Sequence, residues 1–395
     1  MHRVRVEEWT ALGEDTFHEL RSNSPAGGWF PALRELSWTI TRSNLPYADL
    51  FLFPHLEKVS IYMSWSWFGP GIPHDILPTI ASTISTLPTS ALQSLLVCVD
   101  HRRVSWPYLK DSLSSVILRC GPSLTELNSP VPLSDAAINH LIQLPHFRRW
   151  CTESQPPSYH ALSSPRILSP LADLTLQGNA LSGWFPLFER LEHRDAKAAT
   201  PLSRMKKSLR FLSVEDLTGS IIDVSFTSTI QIFRNLITLH VGTRCYNQGE
   251  KGQCTFKLNN NDITKLAMAL SQMESLILGY PCDKNTCDTT AACLLPISAS
   301  WVKLHNLEIH FNTTNIVDDL KNMLEDPRSQ GLLSLPRCTL TRLDVYHTPL
   351  TLDEPGLDTV ARGLINIFPS LECCTTELYP VWNKISERMV KHRGM

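Results

Sequence analysis

The 395-residue sequence predicts an α/β solenoid, with short parallel strands on its concave side and helices on its convex side. Three observations predict it. The pattern Leu-x-x-Leu-x-(Leu/Ile/Val) begins at Leu92, Leu171, Leu209, Leu236, Leu304 and Leu340, about three times as often as chance allows at this leucine content. Degenerate copies begin at Leu33, Leu56, Leu124, Phe147, Met273 and Leu371, with gaps of 23 to 38 residues along the whole series. Amphipathic helical stripes precede several copies. Such a unit cannot bury its apolar face alone, so its neighbours must stack, and an irregular leucine-rich-repeat array is the expected result. An ordinary α/β domain with leucine-rich strands is the alternative.

Along the chain, the first copies read Leu33, Leu36, Trp38 and Leu56, Val59, Ile61, which places Glu35, Ser37, Lys58, Ser60 and Tyr62 on the opposite strand face. Leu109, Leu113, Val116, Ile117 and Cys120 form one helical stripe that Gly121-Pro122 ends. Ser134 can cap a second helix carrying Ile138, Leu141 and Ile142, which Pro145 closes. The spacing recurs at Ile263, Leu266, Leu270, at Ile316, Leu320, Met323, and at Leu357, Val360, Leu364, Ile367. The predicted organisation is a flank over residues 1–32, an array over 33–374 and a tail over 375–395. Residues 152–170, rich in Pro and Ser, and the charged stretch 192–207 read as loops or joints.

Lys+Arg 36 against Asp+Glu 38 leaves a net charge of -2, so nothing drives the chain toward phosphate backbones or acidic membranes, and neither nucleic acid nor membrane is an expected partner. No signal-peptide pattern opens the sequence and no long apolar run crosses it, which points to an intracellular protein, cytoplasmic or nuclear. The 11 cysteines include no C-x-x-C pair and read as free thiols in a reducing compartment. Cys282, Cys287 and Cys293 with Asp283 and Asp288 form the densest ligand cluster, but the spacing matches no zinc signature. His305 and His310 have opposite strand parity and point to opposite faces. Neither a metal nor a cofactor is expected. Phosphate loops, nucleophile elbows and His-Glu-x-x-His are absent, so no catalytic residue is assigned and the chain reads as a non-enzyme.

At Leu133 to Trp150, LSDAAINHLIQLPHFRRW, the sequence resembles the leucine-rich repeats of F-box proteins, through Leu133, Ser134, Asp135, Ala137, Ile138 and Leu141. Cys120 to Leu127 is similar to their strand-opening Cys-x-x-Leu-x-x-Leu, and GWFPALRELSW and FPSLECC fit the irregular repeats of fungal F-box-like proteins. The resemblance implies binding of a protein substrate for ubiquitination within a Skp-cullin-F-box ligase. The F-box itself opens on a Leu-Pro motif, which the first thirty residues do not carry. Docking of the Skp adaptor is therefore expected only if an F-box lies upstream of this chain. The function read from these features is a non-catalytic protein-interaction module. Its alternatives are a scaffold unrelated to ubiquitin and an enzyme with a non-local active site.

Strand parity assigns the binding face. Positions one, four and six of each copy enter the core, and positions three, five and seven line the concave surface. The candidate partner-binding residues are His240, Glu308, His310, Arg342, Asp344 and Tyr346, whose polar and aromatic side chains make directional contacts. A second candidate is the aromatic loop of Trp65, Trp67 and Phe68.

Overall fold

The computed structural model describes residues 3–5, 14–25, 29–41, 43–63, 77–99, 106–152, 170–177, 184, 188, 201–216, 222–243, 256–278, 287–333, 337–345, 348, 350–376 and 379–394. The aromatic loop at Trp65, Trp67 and Phe68, Tyr346, Cys282 and most of the two expected joints lie outside them. The chain divides into two units, Met1–Ala180 with Ala198–Met205, and Leu181–Lys197 with Lys206–Met395.

In the first unit β1 (Arg3–Arg5), β2 (Glu35–Thr39), β3 (Lys58–Met63), β4 (Ser94–Val99), β5 (Glu126–Ser129), β6 (Arg149–Thr152) and β7 (Asp173–Gln177) pair in chain order, all parallel. α1 (Glu14–Ser22), a 3-10 segment (Leu45–Leu50), α2 (Leu77–Ser85), α3 (Trp106–Arg119) and α4 (Asp135–Leu141) form the returns. α5 (Pro201–Ser208) spans the chain boundary between the units. In the second unit β8 (Phe211–Asp216), β9 (Thr238–Thr243), β10 (Ser275–Leu278), β11 (Asn306–Ile309), β12 (Arg342–Asp344) and β13 (Cys373–Thr375) again pair parallel and in order. They alternate with α6 (Val224–Ile230), α7 (Asn260–Ala269), α8 (Leu294–Ser300), α9 (Ile316–Glu325) and α10 (Pro327–Leu333), and α11 (Glu354–Ile367). α12 (Val381–Arg393) follows the last strand. A doubly wound sheet reverses its strand order at a switch point. Neither unit does, and the fold is the expected α/β leucine-rich-repeat array.

The core follows the repeat. Position one is buried in every copy, from Leu33 to Leu371, and so is position four, from Leu36 to Cys374. Position six is buried in every copy but the last, where Thr376 is half-buried, and Ser129 and Thr152 replace the apolar residue in β5 and β6. The stripe of α3 is buried from Leu109 to Cys120, as are Leu357, Val360, Leu364 and Ile367 of α11. Ser134 caps α4 by accepting the Ala137 N–H at 3.3 Å. On α7 the cap is Asn259, whose side chain accepts from Asn261 and Asp262 while Asp262 returns to the Asn259 N–H in a capping box.

Two backbone devices recur at most of the strand starts. The residue at position one donates its N–H three residues back, as in Leu33 to Phe30, Leu56 to Phe53, Leu236 to Phe233, Leu304 to Trp301 and Leu371 to Phe368. In these five copies the unit therefore begins three residues before its first leucine, at an aromatic residue that is buried in the last three. One carbonyl then accepts two N–H groups from the next repeat: Glu57 O takes Gln93 and Ser94 at 2.7 and 3.0 Å, and Ile237 O takes Glu274 and Ser275 at 2.8 and 3.1 Å.

Both flanking segments carry packed elements. Within the flank, β1 pairs with β2, and Phe17 of α1 is buried and stacks on Tyr47 at 5.6 Å. Within the expected tail, α12 buries Trp382, Ile385 and Met389. Hydrophobic spacing of three and four residues runs on through α12, so the array includes it.

Candidate protein-interaction surface

Parallel pairing brings the odd positions of successive strands into rows on the sheet face opposite the core. In the second unit one row runs Thr238, Ser275, Asn306, Arg342, Cys373. The next runs Ser213, His240, Ile277, Glu308, Asp344, Thr375. Strand neighbours are about 4.8 Å apart, so His240 and Asp344, three strands apart, are about 14 Å from one another. His240, Glu308, Arg342 and Asp344 thus share one face, as parity predicts.

Their local chemistry is polar and ordered. Arg342 Nε donates to Thr375 Oγ1 at 3.1 Å, and Thr375 Oγ1 donates to Asp344 Oδ2 at 3.0 Å. Arg342 Nη2 is 3.5 Å from the same carboxylate oxygen, with the Arg342 side chain 61% exposed and that of Asp344 20% exposed. An exposed ion pair of this kind stabilises the fold by only about 0–1 kcal/mol. Its effect is to hold the guanidinium over the row while leaving much of it open to solvent. Asn306 Nδ2 donates to Ser275 Oγ at 3.1 Å, and His240 Nδ1 lies 3.4 Å from Ser213 Oγ. Glu308 is half-buried between Ile277 and Asp344.

His310 departs from the expectation. It is 2% exposed, beyond the end of β11, where the alternation stops and its flanks Ile309 and Phe311 are also buried. Its Nδ1 lies 3.3 Å from Thr348 Oγ1, and the Thr348 carbonyl accepts Trp382 Nε1 at 3.1 Å. The residue ties β11 to α12 and takes no place on the strand face. Short strand length is the reason: β11 has four residues, so position seven falls outside it. Sequence reading also stopped short of Ser213 and Thr375, which the same parity rule identifies as position five of the Leu209 and Leu371 copies.

No family model matches the chain, and no curated protein matches it. Among solved structures it is similar to the crystal structure of the Rad7 and Elc1 complex in yeast. That match is 14% identical, has a TM-score of 0.39, and covers 88% of this chain and 83% of that chain.

The first unit uses its charges differently. Its corresponding row, Glu35, Lys58, Ser94, Glu126, Arg149 and Asp173, is joined crosswise between strands. Lys58 Nζ is 2.8 Å from Glu35 Oε1, Arg149 Nε is 2.7 Å from Asp173 Oδ2, and Ser94 donates to Glu126 at 3.3 Å.

The groups of displaced proton affinity do not lie on the strand face; Cys374, between Cys373 and Thr375 in β13, is buried on the core side. Burial raises the Cys120 thiol to about 12 and also raises Cys293, Cys338 and Cys374, which disfavours the nucleophilic thiolate. Asp223 and Asp319 belong to the ends of α6 and α9. Among the described residues no group of three His, Cys, Asp or Glu side chains could hold a metal ion, and no helix is long and apolar enough to cross a membrane.

Proposed function

We propose that the chain is a non-catalytic protein-interaction module whose second unit binds a protein partner across its strand face. The row of His240, Glu308 and Asp344, with Arg342 held beside it, carries this reading. It displays directional hydrogen-bonding groups in fixed register on rigid strands, whereas no group of displaced pKa converges there, as an active site would require. The finer reading is substrate recognition for a Skp-cullin-F-box ubiquitin ligase. It rests on the resemblance of residues 133–150 to F-box-protein repeats. Affinity capture with the full chain, read by mass spectrometry, tests both levels. Skp and cullin subunits among the captured proteins support the finer reading, and their consistent absence beside a reproducible partner supports a scaffold unrelated to ubiquitin. Replacing Arg342 and Glu308 together by Ala should weaken that partner by about 1–3 kcal/mol per hot-spot side chain. Unchanged affinity would remove the strand face of the second unit from the reading.

A further inference from the structure

The two rows of the second unit carry one charge that the fold leaves unanswered. Arg342 is turned toward β13, away from β11, since its Nε donates to Thr375 Oγ1 at 3.1 Å and its Nη2 lies 3.5 Å from Asp344 Oδ2. Arg342 and Asp344 neutralise one another. Glu308, on β11, is the remaining ionised group, so one guanidinium and two carboxylates leave the rows at −1, with His240 neutral. Among the described residues no hydrogen bond or ion pair engages the Glu308 carboxylate. Cations near the strand starts are committed elsewhere. Arg210 donates to Asn235 O at 3.2 Å, Lys303 to Gln272 Oε1 at 3.0 Å, Arg337 to Leu333 O at 3.0 Å and Arg393 to Pro369 O at 2.8 Å. Glu308 is half-buried, and its row neighbour on β10 is Ile277, a half-buried aliphatic residue about 4.8 Å away.

We propose that Ile277 and Glu308 together receive one lysine side chain of an extended segment of the protein partner, its stem on Ile277 and its ammonium at Glu308. Long charged side chains cover apolar surface with their methylenes while the charged head keeps a polar partner. Lysine has a four-carbon stem that ends in a compact charge, which matches an aliphatic residue one strand away from a lone carboxylate. A cation gains more at Glu308 than at Asp344, because Arg342 already answers Asp344. A partner carboxylate in the same place would be repelled by Glu308. The proposal rests on the reading of this strand face as the protein-binding surface, and adds the chemistry of its occupant.

The test uses the full chain and the pentapeptide acetyl-Gly-Ser-Lys-Ser-Gly-amide, with norleucine, arginine and glutamate counterparts at the central position. Isoleucine-methyl and backbone NMR shifts are followed through each titration. The lysine peptide should give saturable shifts at Ile277 and Glu308, and the glutamate peptide none. Glu308→Gln should weaken the lysine peptide about fivefold and leave the norleucine peptide unchanged, whereas Ile277→Thr should weaken both. Glu19→Gln, which removes an exposed carboxylate of α1, should alter neither. Circular dichroism checks that the variants fold. Absence of saturable shifts, undiminished lysine-peptide binding in Glu308→Gln, or tighter binding of the norleucine or arginine peptide would overturn the proposal. If the lysine peptide fails while a captured partner still depends on Arg342 and Glu308, the occupant proposed here falls and the binding role of the strand face stands.

Discussion

At the start of α6 the Asp223 carboxylate accepts the Ser225 hydroxyl at 2.7 Å and the N–H groups of Ser225 and Phe226 at 2.9 and 3.4 Å. Burial alone would raise its pKa, but these hydrogen bonds outweigh it and hold the group below the usual carboxylate value. Asp223→Ala should cost about 1 kcal/mol in urea unfolding at neutral pH. Because the folded pKa is the lower one, this contribution is complete above the unfolded value of about 3.9. It is lost as pH falls through the folded value, so wild type and variant should converge in acid. Asp319 behaves in the opposite sense. Burial foremost, and the Asp318 charge, raise its pKa against a hydrogen bond from Thr290. The folded state then holds its proton more tightly, and stability declines as pH rises from the unfolded value through the raised one. Asp319→Asn abolishes that decline, so its stability relative to wild type should be greater at pH 7 than at pH 4. A difference that does not grow with pH would show that the carboxylate is not strained by its surroundings.

At the scale of single elements, β13 is a sheet edge that needs covering. Ser386 of α12 does this with one hydroxyl: it accepts the Cys374 N–H at 2.9 Å and lies 3.2 Å from the Cys374 carbonyl. Ser386→Ala leaves that N–H without its acceptor and should cost about 1–3 kcal/mol, with faster amide exchange at Cys374. Strand parity can be checked in one pair of neighbours. Leu307→Ala removes a fully buried side chain and should cost about 2–5 kcal/mol, whereas Glu308→Gln should change stability by less than about 0.5 kcal/mol. These strands were legible because leucines at positions one, four and six carry period-two burial in the residues themselves. The place of α12 was not: Trp382, Ile385 and Met389 keep helical spacing, but nothing in that spacing says that a hydroxyl between them will meet a strand edge. Asn259 was missed as a cap for a related reason. It stands four residues before the first apolar position, Ile263, and Asp262 between them is its reciprocal partner in the capping box.

Across the molecule, sequential parallel pairing could be inferred from the repeat, since right-handed crossovers between like units leave little other choice. The binding rows were only half legible. Parity placed His240, Glu308, Arg342 and Asp344 on one face, but the crosswise ion pairs of the first unit depend on register, which side-chain pattern alone does not determine. His310 shows the same limit, since strand length decides whether a seventh position exists. In hydrogen exchange, the amides of β10, paired on both sides, should be protected more than those of the three-residue β1, paired with β2 alone among the described strands. The shared acceptor carbonyl at each strand start has a further consequence for how such a chain can change. Where it occurs it indexes a strand to its predecessor by two N–H groups, and proline can supply neither. None of the 27 prolines occupies Glu57, Gln93, Thr125, Arg148, Ala172, Ile237, Glu274, His305 or Glu372, the residues that donate the first of each pair. The prolines lie outside the described strands, and the differences in unit length fall in the returns, where added length leaves the strand spacing untouched. The returns can differ in size and composition while the strands keep a fixed ruling, which is how gaps of 23 to 38 residues coexist with regular pairing inside each unit.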